Sequence, residues 1–113
     1  MDAANDFEIL ATGGETLVEA LPFEPGRVRS KRFLKSTDTT VLGVAIDAGA
    51  AMREHLTAVP ILIHVVEGLV VVEIGDRRVE LAAGGLVHIA ARVPHAVEAV
   101  EPSRFLITMT TPA

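Results

Sequence analysis

The sequence has no cysteine, no tryptophan and no tyrosine, and four phenylalanines are its whole ring inventory apart from histidine. Without thiols there is neither a disulfide nor a zinc–thiolate centre, and thiol usage says nothing about redox compartment. So few rings leave little to stack bases or sugars on, which disfavours a nucleic-acid or carbohydrate platform. Positive charge is also short: 10 Lys and Arg stand against 15 Asp and Glu, a formal net charge of −5. Such a surface repels phosphate backbones, and the basic residues gather mainly in residues 27–35 and at Arg77 and Arg78, so no nucleic-acid partner is expected. Long hydrophobic runs are missing too. Residues 56–66 form the longest uncharged apolar stretch, broken by Pro60 and His64; a bilayer crossing needs roughly 20 residues, so no membrane span is expected. The start, M-D-A-A-N-D-F-E-I-L, carries neither the basic end nor the apolar block of a secretory signal, which predicts a cytoplasmic protein.

What is present is apolar: half of the 113 residues, enough for the core of one domain without covalent staples. From residue 40 onward, short β-branched runs alternate with glycine, proline or charged turns. They cover residues 40–47, 60–67, 69–74, 77–81, 86–90, 96–100 and 104–110. This spacing predicts an all-β sandwich or barrel. Arg77-Arg78-Val79-Glu80-Leu81 alternates polar and apolar, and Ile74-Gly75-Asp76-Arg77 reads as a tight hairpin turn. Gly68, Gly75, Gly84 and Gly85 read as turn residues with positive φ. Residues 61–74, I-L-I-H-V-V-E-G-L-V-V-V-E-I, are apolar on both faces, so both need covering. We expect a homodimer to cover the outer one; the alternative is that residues 1–39 fold over it. Those residues, with Gly13-Gly14, Pro22 and Pro25-Gly26, read as an N-terminal arm with loops and one or two edge strands, belonging to the same domain as a barrel at 40–113.

The stretches K-R-F-L-K-S-T-D-T-T-V-L (31–42), D-A-G-A-A-M-R-E-H (47–55) and V-V-E-G-L-V-V-V-E-I-G-D-R-R-V-E-L-A-A-G-G-L-V-H-I-A-A-R-V-P-H-A-V-E-A (65–99) together resemble the small single-domain cupins. The resemblance runs over about residues 40–109 and implies an RmlC-like double-stranded β-helix, a jelly-roll barrel. Cupins carry the motifs G-x5-H-x-H-x3,4-E-x6-G and G-x5-P-x-G-x2-H-x3-N. With Gly68 as the closing glycine of the first, Gly49 opens it and His55 takes the first histidine position, but Thr57 stands at the second histidine and Ile61 at the glutamate. In the second motif Gly84 and His95 match, while Ala90, Arg92 and Ala99 replace the proline, glycine and asparagine. Of the three histidines and one glutamate that the family uses as ligands, His55 and His95 are the two left.

Strand parity supports His95 independently. His95, Val97 and Ala99 share the apolar face and Glu98 takes the other, which points His95 inward. Ile61, Ile63 and Val65 share one face, which the cupin resemblance assigns to the barrel interior, leaving His64 on the other with Leu62 and Val66 as an interface or inter-sheet residue. A catalytic zinc usually has three protein ligands, and non-haem iron centres two histidines and a carboxylate. His88, Glu54 and Glu98 are the candidates to join His55 and His95 around iron, nickel, manganese or zinc, although Glu54 adjoins His55 and Glu98 has the wrong parity.

Three functions follow as expectations. The first is a dimeric cupin that binds a small molecule in a mostly apolar barrel pocket, with His55 and His95 at its mouth, Met52, Ile61 and Ile63 lining it, and Arg53 or Arg92 available to fork onto a ligand carboxylate. The second is a dioxygenase-like or isomerase-like metal enzyme that uses His55, His95 and a nonstandard third ligand. The third is a structural or partner-binding barrel with Leu62, His64 and Val66 on its interaction face. Nucleophilic catalysis has no support, since none of Ser30, Ser36 and Ser103 lies in a nucleophile-elbow pattern.

Overall fold

The structure, a computed structural model, describes residues 6–111. A short helix, α1 (Gly14–Ala20), precedes seven strands: β1 (Val28–Lys35), β2 (Thr39–Ile46), β3 (Ala51–His55), β4 (Ile61–Ile74), β5 (Arg77–Ala82), β6 (Leu86–Ile89) and β7 (His95–Thr110). Every pairing is antiparallel, in the order β1-β2-β7-β4-β5, with β3 added on β7 and β6 on β4. The hairpin at residues 74–77 is present, with Gly75 at φ 62.

The long strands roll the sheet. β4 pairs with β6 over residues 61–64 and with β5 over 69–74, while β7 pairs with β3 near its start and with β2 over 103–110. A strand that changes partner midway must bend, and the bends coincide: the β4–β7 register slips between Val65 and Val70, opposite residues 99–105. Four runs that the sequence presents as separate strands are therefore two continuous ones. Gly68 and Pro102-Ser103 bend the ladder without ending it. Gly68 sits at φ +93, and a Cβ there would lie 2.2 Å from Ser103 Oγ and 2.5 Å from the Pro102 carbonyl oxygen, so it is a bulge residue rather than a turn residue. Gly85 also departs from expectation: it lacks a positive φ, and what it provides is close approach to the Ala82 carbonyl, 2.8 Å from where a Cβ would stand.

Alternation fills the interior. Ile61, Ile63, Val65, Val70 and Val72 of β4 meet Val97, Ala99, Phe105 and Ile107 of β7, closed by Val44, Ile46 and Ile89. Fully burying a side chain of this kind is worth about 1.5–3 kcal/mol, which makes this cluster the main source of stability.

The outer face has two parts. Over β2 and the middle of β7 the N-terminal segment covers it: Leu21 is buried against the open backbone of Gly43, where a Cβ would collide with Leu21 and Phe33. Arg104 locks this strap. Its Nε–H donates to the Leu21 carbonyl at 2.7 Å, its Nη1 pairs with Glu67, and its guanidinium lies 3.9 Å from the centre of the Phe23 ring. The arm thus contains the expected edge strand, β1, together with a helix that the sequence pattern does not announce. The second part, over β6, β4 and the end of β7, carries Leu62, His64, Leu86 and His88, all exposed, beside half-buried Leu106 and Thr108.

Candidate functional site

His55 ends β3 and His95 begins β7, and the two are direct cross-strand partners. Their ring centroids lie 4.4 Å apart at 61°, an edge-to-face contact. Met52, three residues before His55, pairs with Val97, two residues after His95, so β3 holds one residue more than β7 between the same rungs. In an unbroken strand that odd separation would put Met52 and His55 on opposite faces. The bulge at Arg53-Glu54 brings both to the side occupied by His95 and Val97. The pair then straddles the barrel's rim: His95 is 2% exposed, and His55 is open to solvent.

Each ring is held the same way. His55 Nδ1 lies 2.9 Å from the Arg53 carbonyl, and His95 Nδ1 lies 3.0 Å from the Val93 carbonyl. A carbonyl oxygen only accepts, so each Nδ1 carries a proton and donates it; in the neutral ring this leaves the Nε2 lone pair as the working atom. Two imidazoles are thus fixed through Nδ1 at one end of the barrel, with no hydrogen bond to either Nε2 among the described residues.

The remaining expected residues fall into two groups. Ile61 and Ile63 are buried in the core, with Met52 packed against it. A cavity of about 100 Å³ beside Met52 is lined also by Val71, Glu73, Val97 and Glu98 and includes neither histidine. Arg53 and Arg92 are exposed, and neither belongs to an ion pair among the described residues. Arg92 has φ 67, the left-handed region, and its N–H donates to the Thr57 carbonyl at 2.7 Å, tying residues 90–94 to the loop that follows His55.

The donor set does not fit a three-ligand metal centre. Glu98 pairs opposite Ala51 and is exposed, as its parity requires, and His64 and His88 project from the outer face. Glu54 occupies the bulge, and Ile61, at the motif position of the cupin glutamate, is a buried hydrocarbon. Among the described residues no group of three or more His, Asp or Glu side chains is placed to hold an ion. Two neutral imidazoles without a carboxylate make a weak divalent site.

Sequence reading missed three features here: the bulge that turns His55 inward, the left-handed Arg92, and the Arg104–Glu67 pair. A bulge leaves no mark in the residue count, and Glu67 and Arg104 are neighbours only through the β4–β7 register. The P-H dipeptide at Pro94-His95, by contrast, is a readable strand start.

Comparison with solved structures finds the same architecture widely. A conserved protein of unknown function from Streptococcus pyogenes is 21% identical over 100% of this chain and 97% of its own, with a TM-score of 0.82. A cupin superfamily protein from Desulfitobacterium hafniense is 15% identical over 80% of this chain and 84% of its own, at a TM-score of 0.77. KdgF from Halomonas sp. is 23% identical over 81% and 86%, at a TM-score of 0.72. At these identities the likeness shows the fold alone. No curated protein matches the chain. The family model described as "Cupin domain" matches residues 44–109, more than half of the sequence, and includes both histidines of the rim pair. With its rolled antiparallel barrel and that match, the chain belongs to the cupin family.

Proposed function

We propose that this cupin binds a small organic molecule directly on the His55–His95 pair, without a metal between them. The observation that carries this reading is the pair itself: two imidazoles in contact, each with Nδ1 tied to a backbone carbonyl and Nε2 left over. A purely structural pair would need no such matched orientation. Ile61, Ile63 and Val97 are taken up in the closed core, so the ligand lies across the rim with its apolar part against the half-buried Met52. Arg53 and Arg92 supply the charge at the same end. The metal-enzyme reading requires a third ligand that the described residues do not offer. A thermal-shift screen of a metabolite library against the parent and a His55→Ala, His95→Ala double variant tests the reading. Hits that stabilise the parent and are lost in the variant are expected. Hits that move both proteins alike would contradict it.

The partner proposed for the outer face is a second copy of the chain. Leu62, His64, Leu86, His88, Leu106 and Thr108 include no Asp, Glu, Lys or Arg, so in a chain of charge −5 a two-fold axis there brings no like charges together. Leu86, at 62% exposure, has the most surface to lose. In light scattering the parent is expected at dimer mass and Leu86→Glu at monomer mass. A parent that stays monomeric at every concentration tested, or a variant that stays dimeric, would remove this proposal. Among the described residues no helix is long and apolar enough to cross a membrane.

A further inference from the structure

Arg92 is the described non-glycine residue whose backbone is left-handed, at φ 67. For an L-residue with a Cβ this region costs roughly 1–2 kcal/mol, a cost that glycine would avoid. Strain of this kind marks a side chain that something else requires. Packing is not that requirement, because Arg92 is exposed and makes no ion pair among the described residues. Its place in the site is specific. Its N–H donates to Thr57, two residues after His55, while the next residue's carbonyl accepts the His95 Nδ1–H. Arg92 therefore stands between the two segments that orient the histidines. Residues 56–60 and 90–94, L-T-A-V-P and A-A-R-V-P, contain no acid, no lysine and no glycine. They cannot form a glycine-rich phosphate cradle, and Arg92 is the one charge within them.

We infer that the His55–His95 site is specific for a small hydroxycarboxylate, with Arg92 as the residue that selects its carboxylate; this rests on the reading of the pair as an organic-ligand site. The division of labour follows from donor chemistry. An imidazole whose Nδ1 already donates has, when neutral, only Nε2 left and only as an acceptor, and an acceptor pairs with a hydroxyl but repels a carboxylate. The carboxylate goes to a guanidinium, whose planar fork matches its two oxygens. The ligand's remaining apolar body meets the half-buried Met52. A hydroxyl for Nε2, a carboxylate for Arg92 and a short branched hydrocarbon together define the class.

The probes are 2-hydroxy-4-methylpentanoate, its primary amide, and 4-methylpentanoate, which lacks the hydroxyl. Each is titrated into the ¹⁵N-histidine-labelled full chain, and the ring nitrogens of His55 and His95 are followed by NMR. The hydroxy acid is expected to bind at least about tenfold more tightly than either relative. Arg92→Gln is expected to lose that factor for the acid and to leave the amide unchanged, while Arg92→Gly does the same with no loss of thermal stability. Amide and acid binding equally, both abolished in the His55→Ala, His95→Ala variant, would overturn the carboxylate class while leaving the organic-ligand reading intact. Unchanged acid affinity in Arg92→Gln would overturn the role of Arg92. No perturbation of either ring by any of the three would also overturn the inference, and the library screen then decides the fate of the site itself.

Discussion

Gly68→Ala is expected to destabilise the protein by about 2–5 kcal/mol in urea unfolding, the sum of roughly 1–2 kcal/mol for a side chain at positive φ and roughly 1–3 kcal/mol for overpacking. The collision is specific. A methyl at Gly68 would meet Ser103 Oγ and the Pro102 carbonyl oxygen, and neither has room to retreat. Ser103 is fully buried, and its hydroxyl accepts from the Leu69 N–H at 2.9 Å while facing the Glu101 carbonyl at 2.7 Å. The crossing of the two bends of β4 and β7 is thus sealed by one glycine and one serine. Gly75→Ala is the internal control: φ is also positive there, at 62, but no atom lies within 4 Å of the added methyl. It is expected to cost only the conformational part, roughly 1–2 kcal/mol. Equal effects at the two positions would show that the bend is looser than the geometry requires.

Arg104→Met is expected to cost about 2–4 kcal/mol and to free the N-terminal strap before the barrel itself opens. The arginine side chain is 8% exposed, while that of Glu67 is 43% exposed, so the two ends of the pair are not equivalent. Losing the arginine leaves the Leu21 carbonyl without its donor and Phe23 without its cation. Glu67 re-solvates at little cost, as surface ion-pair partners do. Glu67→Gln keeps an acceptor for Nη1 and is expected to cost about 1 kcal/mol. Arg104→Lys should recover little, since one ammonium cannot reach Leu21 and Glu67 while lying against an aromatic face. Amide exchange supplies the readout. Protection around Leu21 should fall in Arg104→Met at denaturant concentrations where β4 and β7 amides remain protected. Strap and barrel amides losing protection together, or no change at Leu21, would contradict the locking role.

Much of the barrel was legible because strand parity is a strong constraint once one face is buried. It placed His95 inward ahead of Val97 and Ala99 and set Ile61, Ile63 and Val65 on the face opposite Leu62 and His64, and the motif likeness then named the first of these faces as the interior; each is found there. The hairpin at Gly75-Asp76 was legible for a similar reason, because two residues set a turn locally. What parity cannot see is an added residue. Met52 and His55 are three apart, and only the bulge puts them on one face, so the contact between His55 and His95 was readable from motif likeness but not from alternation. The same limit explains the merged strands. Gly68 and Pro102 look like breaks in the sequence, yet each bends a ladder that continues, because the partner strand bends at the same place. Long-range pairs such as Glu67–Arg104 and the seat of Leu21 on Gly43 depend on register and on the path of the arm, and neither has a local signature.

The question that divides a metal-free ligand site from a metalloenzyme is whether two histidines hold an ion without a carboxylate. The direct measurement is elemental analysis of tag-free, chelator-free protein after incubation with iron, nickel, manganese and zinc in turn and removal of the excess, beside the folded His55→Ala, His95→Ala variant. With Ile61 at the motif position of the cupin glutamate and no third donor assembled among the described residues, the expected result is well below one ion per chain in the parent and no difference from the variant. About one ion per chain in the parent, retained through desalting and absent from the variant, would contradict the metal-free site.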